Sequence, residues 1–328
     1  MIIGLTYDLR DEYLEMGFSE DETAEFDRED TISSIENTLA ELGYETNRIG
    51  HIKNLVHRLN QGESWDLVFN IAEGMYGAGR EAQVPALLDA YRIPYVFSGP
   101  LVLALTLDKA LTKIIVKDAG VATPDHAVVY NRDDIQKVNL PYPLFVKPLA
   151  EGTGKGIDPE SVITGPESLE KKCIELLERY RQPVLVETYL SGREFTAGIV
   201  GTGNEARCIG VIEIILRENA EKGVYSYVNK EECEERIIYT LTDPDAVKAC
   251  SDLALQAWNC LHAEDGGRVD IRFDHLGKPH FLEINPLAGM HPEHSDLPIL
   301  AGLNGIHYRD LMKMIMDSAV RKVKNRHL

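Results

Sequence analysis

The sequence has few basic residues for its length, and this shortage limits what the protein can bind. Its 34 lysine and arginine residues stand against 53 aspartate and glutamate residues, so the formal net charge is −19 at pH 7. A field of this sign repels phosphate-rich surfaces. We therefore expect neither a nucleic acid nor an anionic membrane as a partner.

Cysteine and long apolar segments are also scarce. The five cysteines are odd in number and contain no C-x-x-C pair, which argues against a disulfide framework or a zinc site. A membrane-spanning helix needs about 20 consecutive apolar residues, and the sequence has no run of that length. The first residues lack the basic region and apolar length of a signal peptide. We expect a cytoplasmic globular protein.

The first hundred residues alternate between strand-like and helix-like segments. Apolar runs at Ile2–Tyr7, Asp66–Ile71 and Pro94–Val96 predict strands, and Asp30–Leu42 and Glu81–Tyr91 predict helices. This order is typical of βαβ units, which form a parallel sheet with helices on its faces. A chain of 328 residues is too long for one simple core, so two or three subdomains are expected.

The remaining sequence predicts two further blocks, without repeats or low-complexity linkers. We place the subdomains at 1–100, 101–190 and 191–328. The middle block should contain helices at 106–119 and 168–180 and strands at 127–130, 144–146 and 184–188. The last block should contain strands at 197–200 and 209–215, a helix at 244–261, a hairpin and a helix from Tyr308.

An acidic segment follows the first predicted strand. Residues 11–30 include ten aspartate and glutamate residues among twenty. A solvated loop or a lid is the first interpretation of such a segment. A gate that selects cationic or amino substrates is the second.

Residues 266–286 carry the most informative pattern. Polar and apolar residues alternate in 266–273 and in 281–285, on either side of turn-forming residues at 274–278, so a β-hairpin is predicted. Successive side chains of a strand point to opposite faces. The apolar residues of the hairpin are then expected to point into a core: Val269, Ile271, Leu282 and Ile284.

The polar face of this hairpin predicts a metal site. Arg268 and Asp270 share one face of the first strand, and Glu283 and Asn285 share one face of the return strand. Two carboxylates and an amide oxygen on one surface suit magnesium, which prefers hard oxygen ligands and takes phosphate oxygens as well. The alternative is a solvated hairpin face without a ligand.

Two lysine-containing elements upstream predict phosphate contacts. The apolar strand before Pro148 carries Lys147, and the glycine-rich residues 151–156 follow it. Such a loop lets backbone N–H groups approach phosphates, while a lysine adds a point charge. Lys109 near the start of a predicted helix is a second candidate. A local cluster of lysines can bind ATP despite the negative net charge, although the spacing is not that of a P-loop.

The strand at 184–190 leads into a turn and then to Glu194. An apolar linker with free backbone polar groups suits the edge of an adenine base, and a carboxylate seven residues after Glu187 suits ribose hydroxyls. Taken alone, the pattern also fits a buried strand followed by a turn.

Together these motifs resemble the D-alanine–D-alanine ligase family of the ATP-grasp superfamily, over nearly the whole chain. The matching motifs occur in the family's order: Asp108-Lys109, 145–148 with 151–153, Glu187 with 194–196, 267–270, and 283–290 with Ser295. The resemblance implies an ATP-grasp fold, in which an N-terminal parallel-sheet domain precedes central and C-terminal grasp subdomains.

The resemblance also implies a site for ATP and for Mg²⁺ or Mn²⁺. Asp270, Glu283 and Asn285 are similar to the family's metal ligands. The phosphate contacts would be Lys109, Lys147 and Lys230, with Lys230 on a mobile loop around Tyr225–Glu235. The adenine and ribose contacts would be Glu187, Thr188, Tyr189, Leu190, Glu194 and, as an apolar floor beneath the base, Leu282.

For the reacting groups, the resemblance implies four further positions. Arg268 matches the arginine that stabilises a tetrahedral intermediate, and Gly289 and Ser295 match positions around the second substrate's carboxylate. Thr153 stands where a serine is usual. The implied reaction converts a carboxylate to an acyl phosphate, which an amine then attacks to form an amide.

The substrate side departs from the family pattern. Glu73 stands where a histidine is usual, and Glu231 stands where the loop tyrosine is usual. The N-terminal Gly-Gly turn with Ser and Glu, which grips the ammonium of the first amino acid, is absent, and Glu25 or Glu29 would have to substitute for it. We therefore expect small amino-acid, other carboxylate or amine substrates that differ from the usual D-alanine pair.

Alternative functions stay open at this point. The same nucleotide half would serve an ATP-grasp phosphotransferase, a ligase for non-peptide substrates, or a nucleotide-binding homologue without turnover. The histidines at 291–294 could belong to a second metal site, but a loop near the acceptor segment is the simpler interpretation. A homodimer is also left open.

Overall fold

Three separate β-sheets, each formed from its own stretch of sequence, organise the chain. The computed structural model describes residues 1–221 and 223–326, so three residues of the predicted segment 191–328 lie outside the described part (222, 327 and 328). One sheet is parallel and two are antiparallel. This combination confirms the predicted α/β (α+β) fold class.

The first sheet is parallel and has the strand order β2-β1-β3. Its strands are β1 (Ile2–Thr6), β2 (Glu45–Gly50) and β3 (Leu67–Asn70). The predictions for β1 and β3 are confirmed to within one residue at each end. At the predicted strand 94–96, Tyr95 forms an isolated parallel bridge with Val68.

Four helices accompany this sheet. They are α1 (Arg10–Glu15), α2 (Glu29–Glu41), α3 (Ile52–Asn60) and α4 (Gln83–Ala90). The predicted helix at 81–91 begins with a 3-10 turn at Arg80–Ala82 rather than with a regular α-helical turn.

The acidic segment 11–30 packs against the body of the protein, so its interpretation as a solvated loop is wrong. Tyr13 and Phe26 are buried, and their ring centroids lie 4.5 Å apart. The Glu25 carboxylate lies 2.8 Å from the Arg80 guanidinium, and both side chains are nearly buried. Apolar residues between the acidic ones fix the segment, which the count of charges alone does not show.

The second sheet is antiparallel, with the order β4-β7-β5-β6. Its strands and helices are α5 (Pro100–Leu107), α6 (Lys109–Asp118), β4 (His126–Val129), α7 (Arg132–Ile135), β5 (Leu144–Pro148), β6 (Val162–Ile163), α8 (Pro166–Tyr180) and β7 (Val184–Thr188). The predicted start of the helix at 106–119 is wrong, because two helices, α5 and α6, meet at Asp108. Asp108 has an extended backbone and caps α6 through the N–H groups of Ala110 and Leu111.

The third sheet is antiparallel, with the order β10-β9-β8-β11-β12. Its elements are β8 (Glu194–Val200), β9 (Arg207–Leu216), α9 (Tyr227–Glu231), α10 (Cys233–Arg236), β10 (Ile237–Leu241), α11 (Pro244–Cys260), β11 (Gly266–Phe273), β12 (Pro279–Asn285), α12 (Asp296–Leu303) and α13 (Tyr308–Arg326). The hairpin β11–β12 confirms the prediction for residues 266–286.

A shared apolar core joins the first sheet to the C-terminal part of the chain. Ile3 and Phe69 lie in one buried cluster with Leu297 of α12 and Ile315 of α13. A second cluster packs Trp258 of α11 against the third sheet. Within the described residues, every helix is too short or too polar to cross a bilayer.

Candidate active site

The hairpin brings four polar side chains together through its strand register. Asp270 lies opposite Glu283, and Arg268 lies opposite Asn285. Val269 and the neighbouring apolar residues of the hairpin are buried on the other face. The predicted division of the hairpin into a polar and an apolar face is therefore confirmed, with one exception.

The exception is Leu282, which does not point into the core. A register shift after Asp270 places Ile271 opposite Phe281, so Leu282 is an additional residue on β12. Phe281 is fully buried in its place. Leu282 lines a cleft instead, as the resemblance to the family implies and the alternation of the strand does not.

Hydrogen bonds hold Asp270 in a fixed orientation. The Thr196 hydroxyl donates to Asp270 Oδ1 at 2.9 Å, and Asn285 Nδ2 donates to Oδ2 at 3.3 Å. Arg268 is also paired with Asp270. Asn285 therefore turns the nitrogen of its side-chain amide, and not the oxygen, toward Asp270. This set of hard oxygen donors fits a magnesium ion.

Two lysines flank Glu283. The Nζ atoms of Lys109 and Lys147 lie 3.8 and 3.5 Å from its carboxylate. Burial by itself raises the pKa of Glu283, but these lysines more than reverse the effect and hold it well below its ordinary value. Glu283 therefore stays ionised beside a strongly positive pair.

A third lysine was not among the predicted site residues. Lys113 is fully buried one helical turn after Lys109, and its Nζ lies 2.7 Å from the Glu187 carboxylate. It also donates to the carbonyl oxygen of Leu282 at 2.8 Å. Lys147 lies 3.6 Å from the same Glu187. The four-residue spacing from Lys109 is the sequence signal that could have identified Lys113.

The predicted ATP contacts line a single cleft between the second and third sheets. This cleft, here called the first cleft, contains Lys109, Lys147, Glu187, Thr188, Tyr189, Leu190, Glu194, Lys230 and Leu282. Phe145 and Tyr189 stack on its wall at a centroid distance of 6.4 Å. Arg272, a residue that sequence reasoning missed, lies 3.2 Å from Glu194. Burial raises the pKa of Glu194, although Arg272 opposes this effect.

The predicted reacting groups line an adjacent second cleft. Its walls include Glu73, Thr153, Arg268, Gly289 and Ser295. Lys109, Lys230 and Glu283 line both clefts, so the two cavities meet at the hairpin. The structure thus gathers every predicted site residue around one junction.

The family model described as the D-ala D-ala ligase C-terminus matches residues 115–317, which is more than half of the chain. The chain belongs to the D-alanine–D-alanine ligase family. This family consists of ATP-dependent ligases with the ATP-grasp fold.

Individual relatives extend the family match to the N-terminal part. The D-alanine–D-alanine ligase of Cupriavidus metallidurans is 34% identical over 78% of this chain and 76% of its own length. That of Aquifex aeolicus is 32% identical over 87% of this chain and 93% of its own. A crystal structure of the Bacillus anthracis ligase complexed with ATP shares the fold, with a TM-score of 0.73, 23% identity and 99% coverage of both chains.

The segment that the ligase-family resemblance identifies as a mobile loop lies over the clefts. Gly154 of the glycine-rich loop packs so closely against this segment that an added Cβ would lie 2.9 Å from the Tyr227 nitrogen. Lys230 lies over the Tyr225 ring at 4.5 Å. Glu231 lies 3.8 Å from Arg10. With these contacts, the segment is closed over the two clefts.

Acidic side chains form part of the wall of the second cleft. Glu25 pairs with Arg80 and accepts the Gly152 N–H at 2.8 Å, so its charge is already balanced. The prediction of Glu29 as an ammonium ligand is wrong, because Glu29 is exposed and pairs with Arg48 at 2.6 Å.

Glu73, Asp27 and Glu81 also line the second cleft. Burial and neighbouring carboxylates raise the pKa of Glu73 well above its usual range. Burial likewise raises the pKa of Asp27 and of Glu81 to about 7. The sequence did not identify Asp27 and Glu81 as residues of this cleft, because their positions depend on how the acidic segment and α4 pack.

The histidines at 291–294 lie in a loop that precedes α12, and their ring nitrogens contact neighbouring protein groups. His291 Nδ1 accepts the backbone N–H of His294 at 3.0 Å, and its Nε2 lies 3.4 Å from Asp30. Both histidines line the second cleft near Ser295.

Proposed function

We propose that the protein uses ATP to activate a carboxylate as an acyl phosphate and then joins it to an amine. The junction of the two clefts carries this proposal. Lys109, Lys230 and Glu283 line both cavities, so a triphosphate in the first cleft would meet a carboxylate in the second. The chain's family membership supports the same reaction class.

We propose Asp270, Glu283 and Asn285 as the ligands of Mg²⁺ (or Mn²⁺). The three side chains are opposed or adjacent in the hairpin register, and Lys109 and Lys147 keep Glu283 ionised. Held by these residues, the ion would supply positive charge beside the phosphates. The oxygen donor set fits this ion better than a softer metal.

Lys109, Lys147 and Arg268 would have separate roles in the reaction. Lys109 and Lys147 would replace their carboxylate contacts with phosphate oxygens and hold the transferring group. Arg268 faces the second cleft and would donate to the oxyanion that develops when the amine attacks. Loss of one such donor raises the barrier by about 3–4 kcal/mol.

The nucleotide would lie in the first cleft. Thr188–Leu190 would offer backbone groups to the adenine edge, Leu282 would contact the base, and Glu194 would bind ribose hydroxyls. Glu187 acts in a different way, since its carboxylate pairs with Lys113 and Lys147 and would position those lysines.

An acyl phosphate requires protection from water. The segment Tyr225–Glu235 lies over the clefts and contacts the glycine-rich loop at Gly154. We propose that this segment opens for substrate entry and closes before phosphoryl transfer. Thr153 lies beside the same contact and would bind substrate or phosphate.

For the donor substrate, we propose an amino-containing carboxylate other than the usual D-alanine. Glu73, Asp27 and Glu81 offer carboxyl groups to an ammonium in the second cleft, and Glu25 is already paired. We also propose small-molecule substrates, a cytoplasmic location and subdomains at 1–100, 101–190 and 191–328. The five cysteines are free thiols, which suits a reducing compartment.

A substrate screen tests the proposal. ADP release would be measured over D- and L-amino acids, singly and in pairs, with mass detection of products. We expect ADP release with a product equal in mass to the acid plus the amine minus water. A phosphorylated product formed without an amine would favour a phosphotransferase, and nucleotide binding without ADP release would favour a non-catalytic homologue.

A further inference from the structure

A carboxylate of the protein itself lies beside Arg268 in the second cleft. Asp296 Oδ2 is 3.5 Å from Arg268 Nη1, and the two side chains are only 10% and 13% exposed. The hydroxyl groups of Tyr225 and Tyr239 donate to Asp296 Oδ1 at 3.2 and 3.1 Å. These contacts hold the Asp296 carboxylate in a fixed position in a largely dry environment.

This charge stands where an anion-binding site would otherwise form. Asp296 is the first residue of α12, and Ser295 precedes it as the N-cap. The N-terminus of a helix, a hydroxyl group and an arginine attract carboxylates. Here the Ser295 hydroxyl accepts the His291 N–H at 3.0 Å, and Asp296 supplies the carboxylate.

The local charge balance leaves little attraction for a second anion. Arg268 is paired with both Asp270 and Asp296. If a metal ion binds Asp270, the charges of Arg268 and Asp296 still cancel each other. Lys109 and Lys230 also line the cleft, but both are expected to contact phosphate. Two other arginines line it, of which Arg10 pairs with Glu231 at 3.8 Å and Arg28 is exposed.

We propose that the acceptor is an amine whose neighbouring carboxyl group is absent, or is masked as an amide or ester. This inference rests on the ligase function proposed above. The amine nitrogen attacks the acyl carbon and forms the C–N bond. The C–O bond to phosphate breaks, phosphate leaves with the electron pair, and the nitrogen loses one proton. A free carboxylate beside this nitrogen would be repelled by Asp296.

Hydroxylamine separates donor activation from acceptor choice. This small neutral nucleophile would trap the acyl phosphate as a hydroxamate, and it identifies the D- or L-amino acid that serves best as donor. With that donor fixed, D-alaninamide and L-alaninamide would be compared with the two free alanines. We expect kcat/KM to be at least tenfold higher for an alaninamide than for its free acid.

Asp296→Asn tests the residue directly. We expect it to reduce the amide-to-acid ratio at least tenfold by raising kcat/KM for the free acid. Asp30→Asn, which removes an exposed charge near His291, should leave the ratio unchanged. Melting temperatures would verify that both variants fold. The amide-to-acid ratio of the wild-type protein tests the acceptor class without any variant.

Three outcomes would overturn the inference. A wild-type preference for the free acid, with hydroxamate formed, contradicts the acceptor class while the ligase function stands. An unchanged ratio in folded Asp296→Asn contradicts the role of this residue. Absence of hydroxamate with every donor contradicts both the ligase function and the inference.

Discussion

Lys113 and Glu187 form a buried ion pair beneath the first cleft, with 2.7 Å between ammonium and carboxylate and 0% and 3% side-chain exposure. Burial lowers the pKa of Lys113, and Glu187 opposes this effect. Because Glu187 also faces Lys147, the pair connects the interior of α6 to a predicted phosphate lysine.

Replacement of this lysine should be costly. Lys113→Met leaves Glu187 buried and short of one cation, which typically destabilises a protein by about 3–5 kcal/mol. Chemical denaturation would measure the free energy of unfolding. Lys117→Met on the same helix removes an exposed pair with Asp125 and should change it by at most about 1 kcal/mol. Equal effects of the two variants would contradict the buried-pair account.

The contact between Gly154 and the predicted lid gives a second prediction. Gly154 has a φ of +75°, and an added Cβ would lie 2.9 Å from the Tyr227 nitrogen. Gly154→Ala should therefore disfavour the closed arrangement by about 1–3 kcal/mol. ADP release without an amine should rise relative to amide formation, because water reaches the acyl phosphate.

A matched glycine controls for the loss of backbone freedom in that experiment. Gly165 has an extended backbone and open space around its added Cβ. Gly165→Ala should preserve the ratio of amide formed to ADP released. A preserved ratio in Gly154→Ala as well would contradict closure at this contact.

The carboxyl group of Glu81 predicts a pH dependence of stability. Burial raises its pKa from 4.5 to about 7, so the folded state holds a proton that the unfolded state releases at lower pH. Its stabilising contribution is complete below pH 4.5 and is lost as pH rises through about 7. Glu81→Gln should then stabilise the protein at pH 8 by about 1–3 kcal/mol relative to wild type.

Thermal unfolding at two pH values measures this effect. The melting temperature of Glu81→Gln should exceed that of wild type at pH 8, and the difference should shrink at pH 5. A difference of the same size at both pH values would indicate a packing effect rather than titration.

Sequence patterns predicted the parts of the fold in which local chemistry and tertiary environment agree. The hairpin follows from the alternation around Asp270 and Glu283, and β1 and β3 follow from apolar runs. The strand β2 was missed because this edge strand is mostly polar, with Ile49 as its main apolar residue. The register shift that turns Leu282 into the cleft depends on pairing between strands.

The substrate side was harder to predict for a related reason. Glu25 and Glu29 are four residues apart and similar in chemistry, yet one lies in the second cleft and the other pairs with Arg48 outside it. Asp296 contacts Arg268 of β11, Tyr239 of β10 and Tyr225 of the loop before α9. Such long-range contacts leave no local sequence signal.

The most direct test of the central claim compares Asp270→Asn with Asp274→Asn. Both remove one charge from the same hairpin, but Asp270 lies in the first cleft, whereas Asp274 caps the turn through the N–H groups of Leu276 and Lys278. ADP release by Asp270→Asn should fall by about 10²-fold or more, consistent with a lost electrostatic contact in the transition state, and Asp274→Asn should remain active. Full activity of a folded Asp270→Asn protein would contradict the account.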